Sequence, residues 1–114
     1  VDIFNPKTIR ATMGSIFRVP FVYVPELSPV LTQMHERGIH TYAAHLKGQK
    51  YYDSFSFREP TAFLIGNEGN GLTKEISDQA GQYLKIPMEG KVESLNASIA
   101  AALLMYEAHR QRNL

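Results

Sequence analysis

Cysteine is absent from the 114 residues. Its absence excludes disulfides, thiolate nucleophiles and cysteine-type zinc sites, and it fits a reducing compartment. A surplus of one charge is missing too. Twelve Lys and Arg stand against eleven Asp and Glu, for a formal net charge of +1. That balance gives no global attraction to nucleic acid, so any such contact must come from local patches or another domain. No apolar run approaches the ~20 residues that a membrane helix needs, and the N-terminus carries no signal-peptide pattern. Internal repeats, low-complexity tracts and interdomain linkers are lacking as well. What remains is 44% apolar, 11% aromatic and 20% charged, the composition of one globular domain with a modest core. The chain does not begin with Met, and its first residues, VDIF, read as the end of a strand. Both features suggest a piece of a longer protein.

Strand and helix signals alternate. Asn5-Pro6 predicts a cap and a helix to about Met13, closed by Gly14. Val19–Val24 is β-branched and aromatic and predicts a strand, with Pro20 as a defect near its start. Ser28-Pro29 opens a helix ending at Gly38, and Ile39–Ala44 reads as a strand. Residues 47–59 have no clean period and read as a loop, with room for a short irregular strand. Thr61–Ile65 predicts a strand buried on both faces. Thr73 caps a short helix stopped by Gly81, and Tyr83–Ile86 is the last strand. The longest helix runs from Ser94 to about Arg112, with Leu95, Ile99, Leu103 and Tyr106 on one stripe. Its middle, IAAALLMY, is apolar almost all round, which calls for cover on more than one side: a sheet on one face and a second subunit on another. The alternation implies an α/β fold, a mostly parallel sheet flanked by helices.

The stretch FLIGNEGNGL runs an apolar strand into Gly66, Gly69 and Gly71. Ligands of parallel sheets sit beyond the strands' carboxyl ends, and glycine there admits a close approach of main chain. A nucleoside triphosphate loop is disfavoured because Leu72 stands where the lysine is required, and the dinucleotide pattern fails on glycine order, which leaves a nucleotide-binding module as a distant third reading. A glycine-rich strand-to-helix turn can also be a turn and nothing more. Downstream, a second strand-end loop leads from Ile86-Pro87-Met88 to a helix start at Ser94-Leu95-Asn96. Two such loops together could build a pocket with main-chain donors and an apolar wall.

GNEGNGL, IPMEGKVESLNASIAAALLMYE and the opening NPKTIRATMGSIFRVPF resemble, in order and over nearly all the chain, the SpoU/TrmH family of S-adenosylmethionine-dependent RNA 2′-O-ribose methyltransferases. The resemblance implies a parallel α/β sheet with a C-terminal deep trefoil knot, a homodimer, a cytoplasmic location, and tRNA or rRNA as substrate. Residues 1–114 would then be the C-terminal portion of a single methyltransferase domain, N-terminally truncated. It also implies a cofactor site of Ile65, Gly66, Asn67, Gly71, Ile86, Met88 and Leu95, with Glu68, Ser94 and Asn96 as catalytic candidates. A side chain at Gly66 would be expected to block the cofactor. No metal is required. The family's arginine motif, roughly N-x-G-x-x-x-R, is not in this sequence, and neither Arg10 nor Arg18 occupies it. A non-catalytic dimeric RNA-binding or scaffold module is the alternative that this departure suggests. Thr12 and Ala97 stand where the family often has serine and valine.

His35, His40, His45 and His109 do not form a metal-ligand pattern. Tyr51, Tyr52, Phe55 and Phe57 could stack on bases, although such residues more commonly close a core. Lys7, Arg10, Arg18, Lys47 and Lys50 are scattered, as on a solvated surface.

Overall fold

The computed structural model describes residues 3–15, 18–45, 48–66, 71–87 and 96–113. Helix α1 (Pro6–Ala11) starts where expected, with the Asn5 side chain accepting from the Lys7 N–H. Helix α2 (Ser28–Glu36) carries its proline in the first turn, and Gly38 follows at φ +75°. Strands β1 (His40–Ala44), β2 (Thr61–Leu64) and β3 (Gln82–Leu84) form one parallel sheet in the order β2-β1-β3. Helix α3 (Lys74–Gln79) links β2 to β3, capped by Thr73 Oγ1 accepting from the Ile76 N–H. Helix α4 (Ala97–Arg112) closes the described chain.

The sheet is covered on both faces. Leu31, Ala43 and Leu64 form one core with Met34, Leu72, Ile76 and Ala80 from the α2–α3 side. Tyr42, Phe57, Leu84, Leu104 and Ala108 form the other, under α4, with Tyr52, Phe55 and Phe63 against it. The β1–β2 connection thus crosses the α4 face and the β2–β3 connection the α2–α3 face. Opposite faces are what two crossovers of the same hand need when they step in opposite directions.

Four expectations change. Residues 19–24 are extended, but no described strand pairs with them, and Val22 is 80% exposed. Pro20 and Pro25 remove donors at both ends of that segment. β2 is half-buried up to Leu64, because it lies at the edge of the described sheet. The last strand ends at Leu84, and Lys85 instead bridges to Tyr51. Helix α4 buries Ala100, Leu104, Glu107, Ala108 and Gln111, whereas Ile99, Leu103 and Tyr106 of the expected stripe face outward. An apolar middle fits either face. The choice is made by Gln111, which donates to the Phe55 carbonyl (2.9 Å) and accepts from the Phe57 N–H (2.6 Å). Arg112 adds bonds to the carbonyls of Phe57 and Glu59.

The path after β1 is unusual. The Leu84 carbonyl accepts from the His45 N–H, so Leu84 turns its polar groups toward β1. Lys85, the next residue, bonds Lys50 and Tyr52 through its own N–H and carbonyl. Neighbouring strand residues point their polar groups to opposite sides, so Tyr51 lies at the far edge of β3 from β1. The chain crosses β3 at Gly48, where an added Cβ would lie 2.8 Å from the Leu84 carbonyl carbon. The β1–β2 connection therefore reaches the far edge of β3, a strand that comes later in the chain, before it returns to β2.

Candidate cofactor site

All three strands are parallel, so their carboxyl ends meet one edge, where ligands of such sheets bind. β2 and β3 flank β1, which sets their ends roughly 10 Å apart. Ile65 and Ile86 extend from these two strands, half-buried, and both pack on the core under α4. The fold thus brings together two of the residues expected in the cofactor wall. Their partial exposure leaves an apolar surface of the kind a flat heterocycle needs.

Gly66 and Gly71 also meet, and the contact gives Gly66 a role within the chain beside the one expected of it. A Cβ on Gly66 would lie 2.2 Å from the Leu72 nitrogen and 2.3 Å from the Gly71 carbonyl carbon. The missing side chain at Gly66 lets the loop close on itself. No ligand is needed to explain it. Gly71 has φ +64°, a conformation that side chains seldom adopt, yet a Cβ there would meet nothing within 4 Å. Leu72 then enters the core on the α2–α3 side, and Thr73 caps α3. The loop is fastened at both ends by main-chain contact and packing.

Asn96, a catalytic candidate, is the N-cap of α4. Its side-chain oxygen accepts from the N–H groups of Ser98 (2.9 Å) and Ile99 (3.3 Å). The helix begins at Ala97, three residues after the start expected at Ser94. It brings the positive end of a 16-residue helix dipole to Asn96. Asn67, Glu68, Met88, Ser94 and Leu95 lie outside the described residues.

Sequence reasoning passed over Gly48, which stands in a polar loop with no periodic signal around it. Two of the histidines, His35 and His40, are elsewhere. His35 pairs with Thr41 Oγ1 (2.7 Å) and His40 with Glu59 (2.7 Å), both at the amino end of the sheet. A concavity of about 280 Å³ lies at that end, lined by His35, Gly38, His40, Thr41 and Gly81 among others, away from the glycine loop. Among the described residues no group of three or more His, Cys, Asp or Glu could hold a metal ion. No helix among them is long and apolar enough to cross a membrane.

Known proteins share this arrangement. The SpoU rRNA Methylase family model matches residues 1–106. YacO of Bacillus subtilis, assigned by its name to the TrmH family of tRNA/rRNA methyltransferases, is 38% identical over 104 residues, 91% of this chain and 42% of its own length. Two solved structures align over nearly the whole chain. The SpoU methyltransferase AviRb from Streptomyces viridochromogenes, in complex with AdoMet, is 36% identical with a TM-score of 0.89, over 98% of this chain and 44% of its own. An RNA 2′-O ribose methyltransferase is 35% identical with a TM-score of 0.87, over 100% and 44%. The chain thus spans less than half the length of these relatives. With the match to 106 of 114 residues, it belongs to the SpoU rRNA methylase family.

Proposed function

We propose that the protein containing this chain transfers a methyl group from S-adenosylmethionine to a ribose 2′-OH of tRNA or rRNA. The observation that carries this reading is the carboxyl edge of the sheet. There a self-closed Gly66–Leu72 turn and the half-buried Ile65 and Ile86 stand together, in a fold that AviRb shares in its AdoMet complex. These residues fit an adenosyl group: apolar surface at Ile65 and Ile86, and main chain held in place at Gly66 and Gly71. Asn67, Met88 and Leu95 would complete that wall.

When bound, the cofactor supplies an activated methyl group on a sulfonium centre. The chain's own residues contribute position. The contact of Gly66 with Gly71 and Leu72 is already made, and α4 brings its amino end to the same edge. Glu68, Ser94 and Asn96 would orient the ribose, while Asn96 also caps α4. Proton removal in this reading falls to an arginine of the N-x-G-x-x-x-R motif, outside this sequence.

The reach of Gly48 and Tyr51 past β3 supports the knotted topology implied by the family resemblance. The outward Ile99, Leu103 and Tyr106 of α4 support a homodimer, with a second copy covering them. A cytoplasmic location belongs to the same reading. Titration of the full-length protein with S-adenosylhomocysteine should show micromolar binding, about −8 kcal/mol. Incubation with the cofactor and total tRNA or rRNA, followed by nucleoside mass spectrometry, should yield 2′-O-methylated nucleosides. A folded protein that binds no S-adenosylhomocysteine overturns the proposal. Leu103→Glu should shift the sedimenting species toward monomer; a parent already monomeric across a concentration series would refute the dimer.

A further inference from the structure

The aromatic run at residues 51–57 divides in the structure. Phe57 is fully buried, and Tyr52 and Phe55 pack on the core under α4. Tyr51 alone stays out, 51% exposed. Its backbone is nevertheless fixed. The Tyr51 carbonyl accepts from the Ser54 N–H (3.0 Å) and Ser54 Oγ (2.7 Å). The bridge to Lys85 holds the residues on either side, through Lys85 N–H to the Lys50 carbonyl (3.0 Å) and Tyr52 N–H to the Lys85 carbonyl (2.9 Å).

Bridge partners project to the same face. Tyr83, two residues before Lys85, packs on the α2–α3 side, so Lys85 and Tyr51 point to that side together. Lys50 and Tyr52, on either side of the extended Tyr51, project to the opposite face, where Tyr52 packs under α4. Lys85 takes part in no ion pair among the described residues. Asp53 is the nearest acid in sequence, and it acts on Arg110, on the opposite α4 side. Asp78, on the same side as the ring, is engaged by the Tyr83 hydroxyl. The ring is one strand spacing from Lys85, whose neighbour Ile86 belongs to the candidate cofactor wall.

An exposed aromatic on a fixed backbone, beside an ammonium group that has no ion pair among the described residues, matches how proteins hold single-stranded nucleic acid: a base on the ring, a phosphate on the lysine. Resting on the functional reading above, we infer that Tyr51 and Lys85 are a positioning platform for an unpaired nucleotide flanking the one that is methylated. A core or capping role is not open to Tyr51, because its ring is half outside and its backbone bonds do not involve the side chain.

The test uses the full-length protein and a fluorescein-labelled, mixed-sequence single-stranded RNA of about twelve nucleotides. Tyr51→Ala should weaken RNA binding on the order of tenfold to a hundredfold, and Tyr51→Phe, which keeps the stacking face, by less than about twofold. Lys85→Gln should reduce the slope of log affinity against log salt by about 0.7. S-adenosylhomocysteine affinity and thermal midpoint should not change in any of them. RNA affinity within about twofold of the parent in Tyr51→Ala overturns the platform. So does a Tyr51→Ala protein that sediments as monomer where the parent is dimer, since the ring would then be a subunit contact. Loss of S-adenosylhomocysteine binding by the parent itself would instead overturn the functional reading beneath it.

Discussion

Replacing Gly66 with alanine tests the origin of the bare loop. The new Cβ would sit 2.2 Å from the Leu72 nitrogen and 2.6 Å from the Gly71 Cα, where ordinary contact begins at 3.4 Å. The obstructing atoms are backbone, so no side-chain rotation relieves the overlap, and residues 71–72 must retreat by about 1.2 Å, the difference between 3.4 and 2.2. Leu72 packs in the core with Leu31, Ala43 and Leu64, and displacing it costs about 1–3 kcal/mol. Thr73, one residue on, caps α3, and disturbing that bond adds about 1 kcal/mol. The total is about 2–4 kcal/mol. At a urea slope near 1.5 kcal/mol per molar, the unfolding midpoint should fall by roughly 1.5–2.5 M. S-adenosylhomocysteine affinity, by calorimetry on the folded variant, should fall by about tenfold or more as the loop leaves the cofactor wall. Gly71→Ala is the control. Its Cβ meets open space, so the cost is the left-handed conformation alone, about 1–2 kcal/mol. A Gly66→Ala midpoint within about 0.3 M of the parent would refute the argument.

Other sites give sharper local tests. Gln111→Leu removes the partners of the Phe55 carbonyl and the Phe57 N–H together and should cost about 2–4 kcal/mol in urea unfolding; a loss below about 0.5 kcal/mol would show that the 55–57 segment finds other partners. Glu107 is held below its ordinary value of 4.5 by the hydrogen bonds from Arg110 and Gln111. A depressed carboxylate stabilises fully above its unfolded pKa and loses that contribution as pH falls through its folded value. The stability gap between the parent and Glu107→Gln should therefore be constant above about pH 5 and shrink as pH drops below 4.5; a gap unchanged down to about pH 3 would disprove the linkage. Thr41→Val leaves the Gly81 N–H without its 2.8 Å acceptor and should cost about 1–3 kcal/mol by the same assay, with no loss expected only if water reaches that amide.

The sequence carried the local structure well where punctuation was explicit. Asn5-Pro6, Thr73 and the glycines at 14, 38 and 81 mark element ends that the structure keeps. It was less informative where pattern was degenerate. The middle of α4 is apolar on every side, so composition could not say that Leu104 and Ala108 would face the sheet while Leu103 and Tyr106 would not. That choice rests on Gln111 meeting carbonyl and amide groups 54 to 56 residues away, a long-range contact with no local trace. Val19–Val24 has a strand's composition, but pairing depends on a neighbour, and none of the described strands supplies one. At the site, the motifs located the right edge of the sheet. The role of Gly66 was legible only once Leu72 was seen to return against it.

The crossing at Gly48 imposes an order in time. Tyr51 and Lys85 stand 34 positions apart, and β3 fits between β1 and the Tyr51 segment, both of which precede it in the chain. During synthesis, residues 40–61 emerge first, and β3 must then settle between β1 and the Tyr51 segment. That step closes late and involves distant contacts, which slows folding. The reverse holds for loss of structure. Unzipping β3 from β1 alone does not release it, because Lys85 still bonds Lys50 and Tyr52 on the other edge. A chain built this way resists partial opening at the carboxyl edge of the sheet, where both edges of β3 must part before it comes free.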